Sequence, residues 1–219
     1  MPIDFKLYLI TDRKNTAKPL PEAVRLALEG GVKAIQLREK DLPVRELLAL
    51  AQELRSITRE FGAKLFINDR VDVAMTVGAD GVHLGHQSMP VEGARKVVGK
   101  DILIGVSTHS TEEALAAQSG GADFITFGPI FDTPSKAGKC IPVGAAAIKR
   151  LKNEITIPVF GLGGINSGNM LQVMSAGADG IAMISAIFGS KDIKKTAAAF
   201  DKALTTISKV VCTDYCAPR

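Results

Sequence analysis

The sequence predicts a single α/β domain folded as a (β/α)8 TIM barrel, and three observations carry that expectation. Eight short apolar, β-branched runs recur along the chain, most of them continuous rather than alternating, as parallel strands covered on both faces require. Segments with apolar positions three and four apart, the helical period, lie between them. Glycine-rich junctions stand directly before several runs, where glycine closes the preceding helix and small residues let the chain turn into the sheet. Repeated helix–glycine–strand junctions mean βα units with right-handed crossovers. Eight such units in 219 residues fit a small closed barrel. A doubly wound open sheet fits less well, because no G-x-G-x-x-G follows the first run.

Taken in order, the expected strands are 7–10, 34–37, 64–67, 81–84, 102–106, 124–127, 157–160 and 180–184. Helical periodicity is clearest over 21–29 and 44–54, and the short gap after the third strand leaves room for one cramped helix at Val71-Asp72-Val73-Ala74-Met75. The junctions are Gly30-Gly31-Val32, Gly78-Ala79-Asp80-Gly81, Gly120-Gly121-Ala122-Asp123 and Ala176-Gly177-Ala178-Asp179-Gly180. No linker or low-complexity stretch divides residues 1–219, and the segment from about 209 to 219 reads as a loosely ordered tail.

Composition narrows the classes. Apolar residues make up 46%, too many for a disordered chain. The net charge, 27 − 23 = +4, comes from basic residues scattered among acidic ones. That pattern argues against a nucleic-acid partner and suits small anionic ligands such as phosphates. Cys140, Cys212 and Cys216 form no disulfide framework and no zinc knuckle. The N-terminal residues hold no apolar h-region, and no window approaches 18 apolar residues. The expectation is a cytoplasmic protein without a membrane partner, of unspecified oligomeric state.

In such barrels the chemistry sits at the carboxyl ends of the strands, so only polar residues just after a strand qualify. These are Gln36-Leu37-Arg38-Glu39-Lys40, Asn68-Asp69-Arg70, the loop Gly85-His86-Gln87-Ser88, Ser107, Thr108 and His109, the stretch Asp132-Thr133-Pro134-Ser135-Lys136, Gly163-Gly164 and Ser185. Glycines after strand seven and a small serine after strand eight let a phosphate approach backbone N–H groups, though such glycines also suit a tight turn. Arg38, Lys40 and Lys136 would put three cations at one rim, suited to a pyrophosphate, with arginine as a bidentate clamp and the lysines as point charges. Asp69 stands where a carboxylate can hold Mg²⁺ with waters and substrate phosphates, or can cap the short helix that follows. His83, His86 and His109 show no metal-ligand spacing, and Cys140 has no activating partner.

The motifs Leu7-Tyr8-Leu9-Ile10-Thr11-Asp12-Arg13, Gln36-Leu37-Arg38-Glu39-Lys40, Asn68-Asp69-Arg70-Val71-Asp72, Gly81-Val82-His83-Leu84-Gly85, the run 128–136 and Gly163-Gly164-Ile165 together resemble the thiamine-phosphate synthase family, over about residues 6–190. The resemblance implies a transferase that joins a hydroxymethylpyrimidine pyrophosphate to a thiazole phosphate. It assigns Gln36, Leu37, Arg38, Glu39, Lys40, Asn68, Ser107 and Lys136 to the pyrimidine pyrophosphate. Thr133, Ser135, Gly164, Ile184 and Ser185 fall to the thiazole phosphate, and Asp69 to Mg²⁺. One position departs: the family carries a second Mg²⁺-binding Asp where this chain has Ser88. The resemblance extends to a related thiazole tautomerase, whose catalytic His falls at Pro129 here; a third reading, from another class, is a non-catalytic sensor of thiazole phosphate or thiamine phosphate that kept the phosphate loops.

Overall fold

The computed structural model describes residues 3–133 and 141–215, with side chains as far as residue 207. Ser135, Lys136, Cys140 and Cys216, and the side chain of Cys212, lie outside the described residues. Eight parallel strands close into one barrel in sequence order: β1 Leu7–Ile10, β2 Ala34–Leu37, β3 Lys64–Asn68, β4 Gly81–Leu84, β5 Leu103–Thr108, β6 Phe124–Phe127, β7 Val159–Leu162 and β8 Gly180–Met183. The connecting helices are α1 Leu20–Glu29, α2 Val44–Glu60, α3 Val71–Val77, α4 Val91–Val98, α5 Thr111–Ser119, α6 Ala145–Leu151, α7 Met170–Ser175 and α8 Ser185–Phe188, followed by α9 Ile193–Tyr215. Proline stands at the N-cap of α1, α2 and α4, where it ends the preceding extended segment without costing a helical hydrogen bond. Ser110 caps α5 by accepting from the Glu113 N–H. Among the described residues, no helix is long and apolar enough to cross a membrane.

Four strands differ from their expected bounds: β3 gains Asn68, β8 stops at Met183, and β5 and β7 shift at both ends. β7 starts at Val159 rather than 157, because Pro158 has no N–H to give the ladder. β5 runs on to Thr108, because Ser107 and Thr108 pair with Thr126 and Phe127 although their polarity ends the apolar run. The last helix continues to Tyr215, past residue 209 where the tail was expected to begin. Once nucleated over the packed residues Ile193, Ala197, Phe200 and Leu204, a helix extends at little further cost per residue.

A buried column of Phe5, Tyr8, Phe66, Phe124 and Phe160 fills the barrel interior. The rings meet mostly edge to face, with centroids 5.2–5.8 Å apart for Phe66 against Tyr8, Phe124 against Phe66, and Phe5 against Phe124. Three glycines make room for them. Phe66 pairs with Gly81, Phe124 with Gly105 and Phe160 with Gly180 on the adjacent strand. A Cβ at any of these glycines would fall 2.4–2.5 Å from the neighbouring ring. Leu9, Ile35, Leu65, Val82, Ile104, Ile125 and Val159 point the other way, into the core between barrel and helices.

The glycine junctions carry a second, repeated device. Before β4, β6 and β8, the residues Asp80, Asp123 and Asp179 accept the backbone N–H of Leu65, Ile104 and Val159, each on the preceding strand. Each also pairs with a base from the helical segment that leads into that preceding strand: Arg55 at 2.6 Å, Arg95 at 2.5 Å and Lys152 at 2.8 Å. Gly78 and Gly177, just before, take positive φ of 61° and 97° as helix-closing turns require.

The interlock predicts that Gly105→Ala destabilises the fold by roughly 1–3 kcal/mol, as expected for overpacking. Its Cβ meets only the Phe124 and His83 side chains, 2.4 and 2.6 Å away. In urea unfolding, Gly105→Ala combined with Phe124→Leu should therefore lose less than the two single losses added together. Strict additivity would remove the interlock.

Candidate active site

Side chains two positions past the aromatic floor form the next inward layer at the carboxyl end of the barrel: Gln36 after Ala34, Asn68 after Phe66, His83 after Gly81, Ser107 after Gly105 and Thr126 after Phe124. Strand parity alone brings these polar groups together, and Asp69 fixes how the first of them are oriented. An ionised carboxylate only accepts. The Asn68 amide nitrogen therefore donates to Asp69 Oδ2 at 2.6 Å, which leaves Asn68 Oδ1 to accept from Gln36 Nε2 at 3.1 Å. Gln36 Oε1 is left buried and without a donor among the described residues. On the other side of Asp69, Ser88 Oγ donates to Oδ1 and accepts the Gly85 N–H at 2.6 Å.

Asp69 is not the helix cap that its position also allowed. Arg70 is the N-cap of α3 and makes no side-chain cap bond, while Asp69 takes a left-handed φ of 59°, the one non-glycine residue to do so among those described. That rare backbone turns the carboxylate towards Asn68 and Ser88.

A cavity of about 430 Å³ opens at the same rim. Thr133, Gly164, Ile184 and Ser185 line it together with Arg38. The backbone N–H groups of Gly164 and Ile165, also on the wall, donate to nothing among the described residues. Gly164 is needed for a second reason as well: a Cβ there would lie 2.4 Å from the Asp132 carbonyl oxygen, so the loops after β6 and β7 close on each other only without one. Asp12, Asn15, Asp132 and Asn166 complete the polar lining; of these, only Asp132 stands among the polar strand-end residues named from the sequence.

Arg38 and Lys40 form no ion pair among the described residues, whereas nearby Arg13 and Lys14 both reach Asp41. Two side chains within the run are buried. Leu37 is buried in the helix-side core, because alternation along β2 turns it away from Gln36. Glu39 is buried and accepts from Thr11 Oγ1, the Arg13 N–H and the Arg13 guanidinium at 2.8–3.1 Å. Both side chains take part in holding the frame of the rim.

The histidines divide three ways. His86 is exposed, and His109 Nδ1 lies 3.2 Å from Glu113. His83 is fully buried between Tyr8 and Ser107, a placement the search for metal spacing missed. Burial pushes its pKa down to about 3, with Asp69 opposing and Arg38 assisting the shift.

A family model described as thiamine monophosphate synthase matches residues 7–187, from the first residue of β1 into α8. The chain belongs to that family. A relative from Geobacter sulfurreducens is 52% identical over 198 residues, covering 90% of this chain and 93% of its own. A thiamine-phosphate synthase from Clostridium novyi is 43% identical over 195 residues, covering 89% and 96%. The solved thiamine phosphate pyrophosphorylase from Pyrococcus furiosus superposes with a TM-score of 0.85 at 42% identity, covering 93% of this chain and 96% of its own. The thiamine monophosphate synthase family thus extends over the barrel and both halves of the rim, and this member carries Ser88 beside Asp69.

The buried imidazole sets a pH dependence for this family member. Between about 3 and its ordinary value of 6.5, His83 is neutral when folded and protonated when unfolded, so stability falls as pH drops through that window. Urea unfolding from pH 7 to 4 should lose up to roughly 1.4 kcal/mol per pH unit more in the wild type than in His83→Gln. Equal slopes in the two proteins would show that His83 is not held neutral.

Proposed function

We propose that this chain is a thiamine-phosphate synthase, a transferase that condenses a hydroxymethylpyrimidine pyrophosphate with a thiazole phosphate. The observation that supports this reading best is Gln36 Oε1, a buried acceptor without a donor among the described residues, in one strand-end run with Arg38 and Lys40, which form no ion pair among those residues. A buried acceptor left open costs stability unless a ligand supplies the N–H, as the amino group of an aminopyrimidine would. In the reaction the bond from the pyrimidine methylene to the pyrophosphate oxygen breaks, the leaving group keeps the electron pair, and the thiazole nitrogen forms the new carbon–nitrogen bond. No protein nucleophile is required. Arg38 and Lys40, with Lys136 of the loop after β6, would offset the charge that builds on the departing oxygens. Arg38, on the wall of the cavity with Gly164, Ile184 and Ser185, joins the two halves of the rim. In this reading the second substrate sits against Thr133, Ser135 and the β7 and β8 loops, its phosphate taken by the open N–H groups.

The donor set beside Gln36 suits Mg²⁺ in a reduced form. Asp69 and Ser88 offer hard oxygens, but no group of three or more His, Cys, Asp or Glu is assembled among the described residues. Asp69 would hold the ion, with Ser88 and substrate phosphates completing its ligands. When bound, Mg²⁺ supplies further charge neutralisation to the pyrophosphate. Proton-transfer chemistry of the tautomerase kind has less support: Pro129 on the cavity wall carries no proton, and His83 is occupied by Tyr8 and Ser107. A sensor needs only the β7 and β8 loops and leaves the Asp69 chain unused. Soluble small-molecule substrates fit a cytoplasmic enzyme.

Purified protein incubated with both substrates and Mg²⁺ should form thiamine phosphate, read by fluorescence after oxidation. Ser88→Asp places a second carboxylate against Asp69 and should lower severalfold the Mg²⁺ needed for half-maximal rate. A sensor or tautomerase would instead lose ligand affinity, because the new charge faces a phosphate site. Absence of product from both proteins at every Mg²⁺ concentration would overturn the synthase reading.

A further inference from the structure

A chain of side-chain hydrogen bonds runs from the barrel floor up to the rim. Tyr8 is completely buried, its ring packed on those of Phe66, Phe124 and Phe160, and its hydroxyl partner is His83 Nδ1 at 3.3 Å. On the far side of the ring, His83 Nε2 lies 3.0 Å from Ser107 Oγ and 3.5 Å from Thr126 Oγ1. The Thr126 hydroxyl in turn donates to Ser107 Oγ at 3.4 Å. Tyr8, His83 and Thr126 are each 0–1% exposed, whereas Ser107 is half-buried.

Counting protons fixes the direction of this chain. A neutral imidazole carries one N–H, on either nitrogen. With the proton on Nδ1, the ring would donate to Tyr8, and the buried tyrosine O–H would be left with no acceptor among the described residues. With the proton on Nε2, the Tyr8 O–H donates to Nδ1 and the ring N–H donates to Ser107. Every inner group is then satisfied, and an unmet buried donor is enough to favour this tautomer roughly tenfold or more. Ser107 now accepts from both His83 and Thr126. Its lone pairs are taken, and its own proton is the one group left to face the rim.

We propose that Tyr8 and His83 are positioning residues that fix the His83 tautomer and so hold Ser107 as a pure hydrogen-bond donor towards the substrate. The partner is a hydrogen-bond acceptor of the pyrimidine pyrophosphate, a ring nitrogen or a phosphate oxygen, and this identification rests on the synthase reading. The device sets the sign of the contact. A serine free to rotate accepts or donates as the ligand asks; this one rejects a ligand that presents an N–H. Together with Gln36 Oε1, which only accepts, it gives the site one fixed donor and one fixed acceptor.

Nitrogen-15 NMR of histidine-labelled protein tests the assignment directly. In the wild type, His83 should show a protonated Nε2 and a bare Nδ1. Tyr8→Phe keeps the ring but removes the selecting proton, and should give a mixture of tautomers. In the same variant, kcat/KM for the pyrimidine substrate should fall about tenfold with the KM for the thiazole phosphate unchanged, a split that general loosening of the barrel would not produce. On a Ser107→Ala background, Tyr8→Phe should add no further loss. A wild-type His83 protonated on Nδ1, or an equal Tyr8→Phe penalty with and without Ser107, would overturn the proposal. The NMR measurement needs no turnover. Absence of synthesis would therefore count against the synthase reading, while the tautomer alone would still decide this one.

Discussion

Everything at the rim depends on how the barrel is filled. A closed ring of eight strands encloses a column that side chains must pack completely, since a void there leaves the lining without contacts. Here the filling is aromatic, and each of three rings faces a glycine on the next strand. Large beside nothing is an efficient use of a narrow column, and it leaves little freedom of register. Sliding a strand by one residue would drive a ring into a backbone and turn the polar layer above it outwards. The packing that stabilises the barrel thus also orders Gln36, Asn68, His83, Ser107 and Thr126 into one layer.

Above that floor, orientation is set by groups with no choice of role. Asp69 can only accept, and through Asn68 it decides which end of Gln36 stays open. The buried Tyr8 hydroxyl decides through His83 what Ser107 can offer. Neither Asp69 nor Tyr8 needs to move for a ligand to be read. A site wired in this way is organised before its substrate arrives, which is the condition for charge and dipole effects to act without reorganisation.

The fold was legible because the strands and junction glycines repeat, and a period survives local ambiguity. The rim residues were legible because strand ends in a barrel converge, so Arg38, Asp69, Gly164 and Ser185 could be grouped without knowing any distance. What escaped was parity. A continuous apolar run such as Phe124–Phe127 does not say which residues face inwards, so His83 looked like a lone strand histidine and Leu37 like part of a binding run. A usable signal did exist in Gly81 and Gly105: a glycine inside a strand marks a close approach, and counting by two from it reaches His83 and Ser107. The left-handed turn at Asp69 had no such signal, because a neighbouring short helix makes an ordinary cap equally plausible by spacing.

The aspartate junctions divide the barrel unequally. Taken two by two in chain order, three of the four strand couples (β3–β4, β5–β6 and β7–β8) carry their own clamp, from Asp80, Asp123 and Asp179, within a short stretch of chain. The first pair has Lys33 at the corresponding place, and its glycines instead face α9: a Cβ on Gly30 would lie 2.5 Å from the Lys194 carbonyl oxygen, and one on Gly31 would lie 3.0 Å from Asp201. The seal on the earliest part of the barrel is therefore supplied by the latest. Three modules can clamp themselves from contacts close in sequence, but β1 and β2 remain unsealed until α9, far along the chain, packs against their junction. Closure of the ring is for this protein a long-range event, set by contacts between the first βα unit and α9.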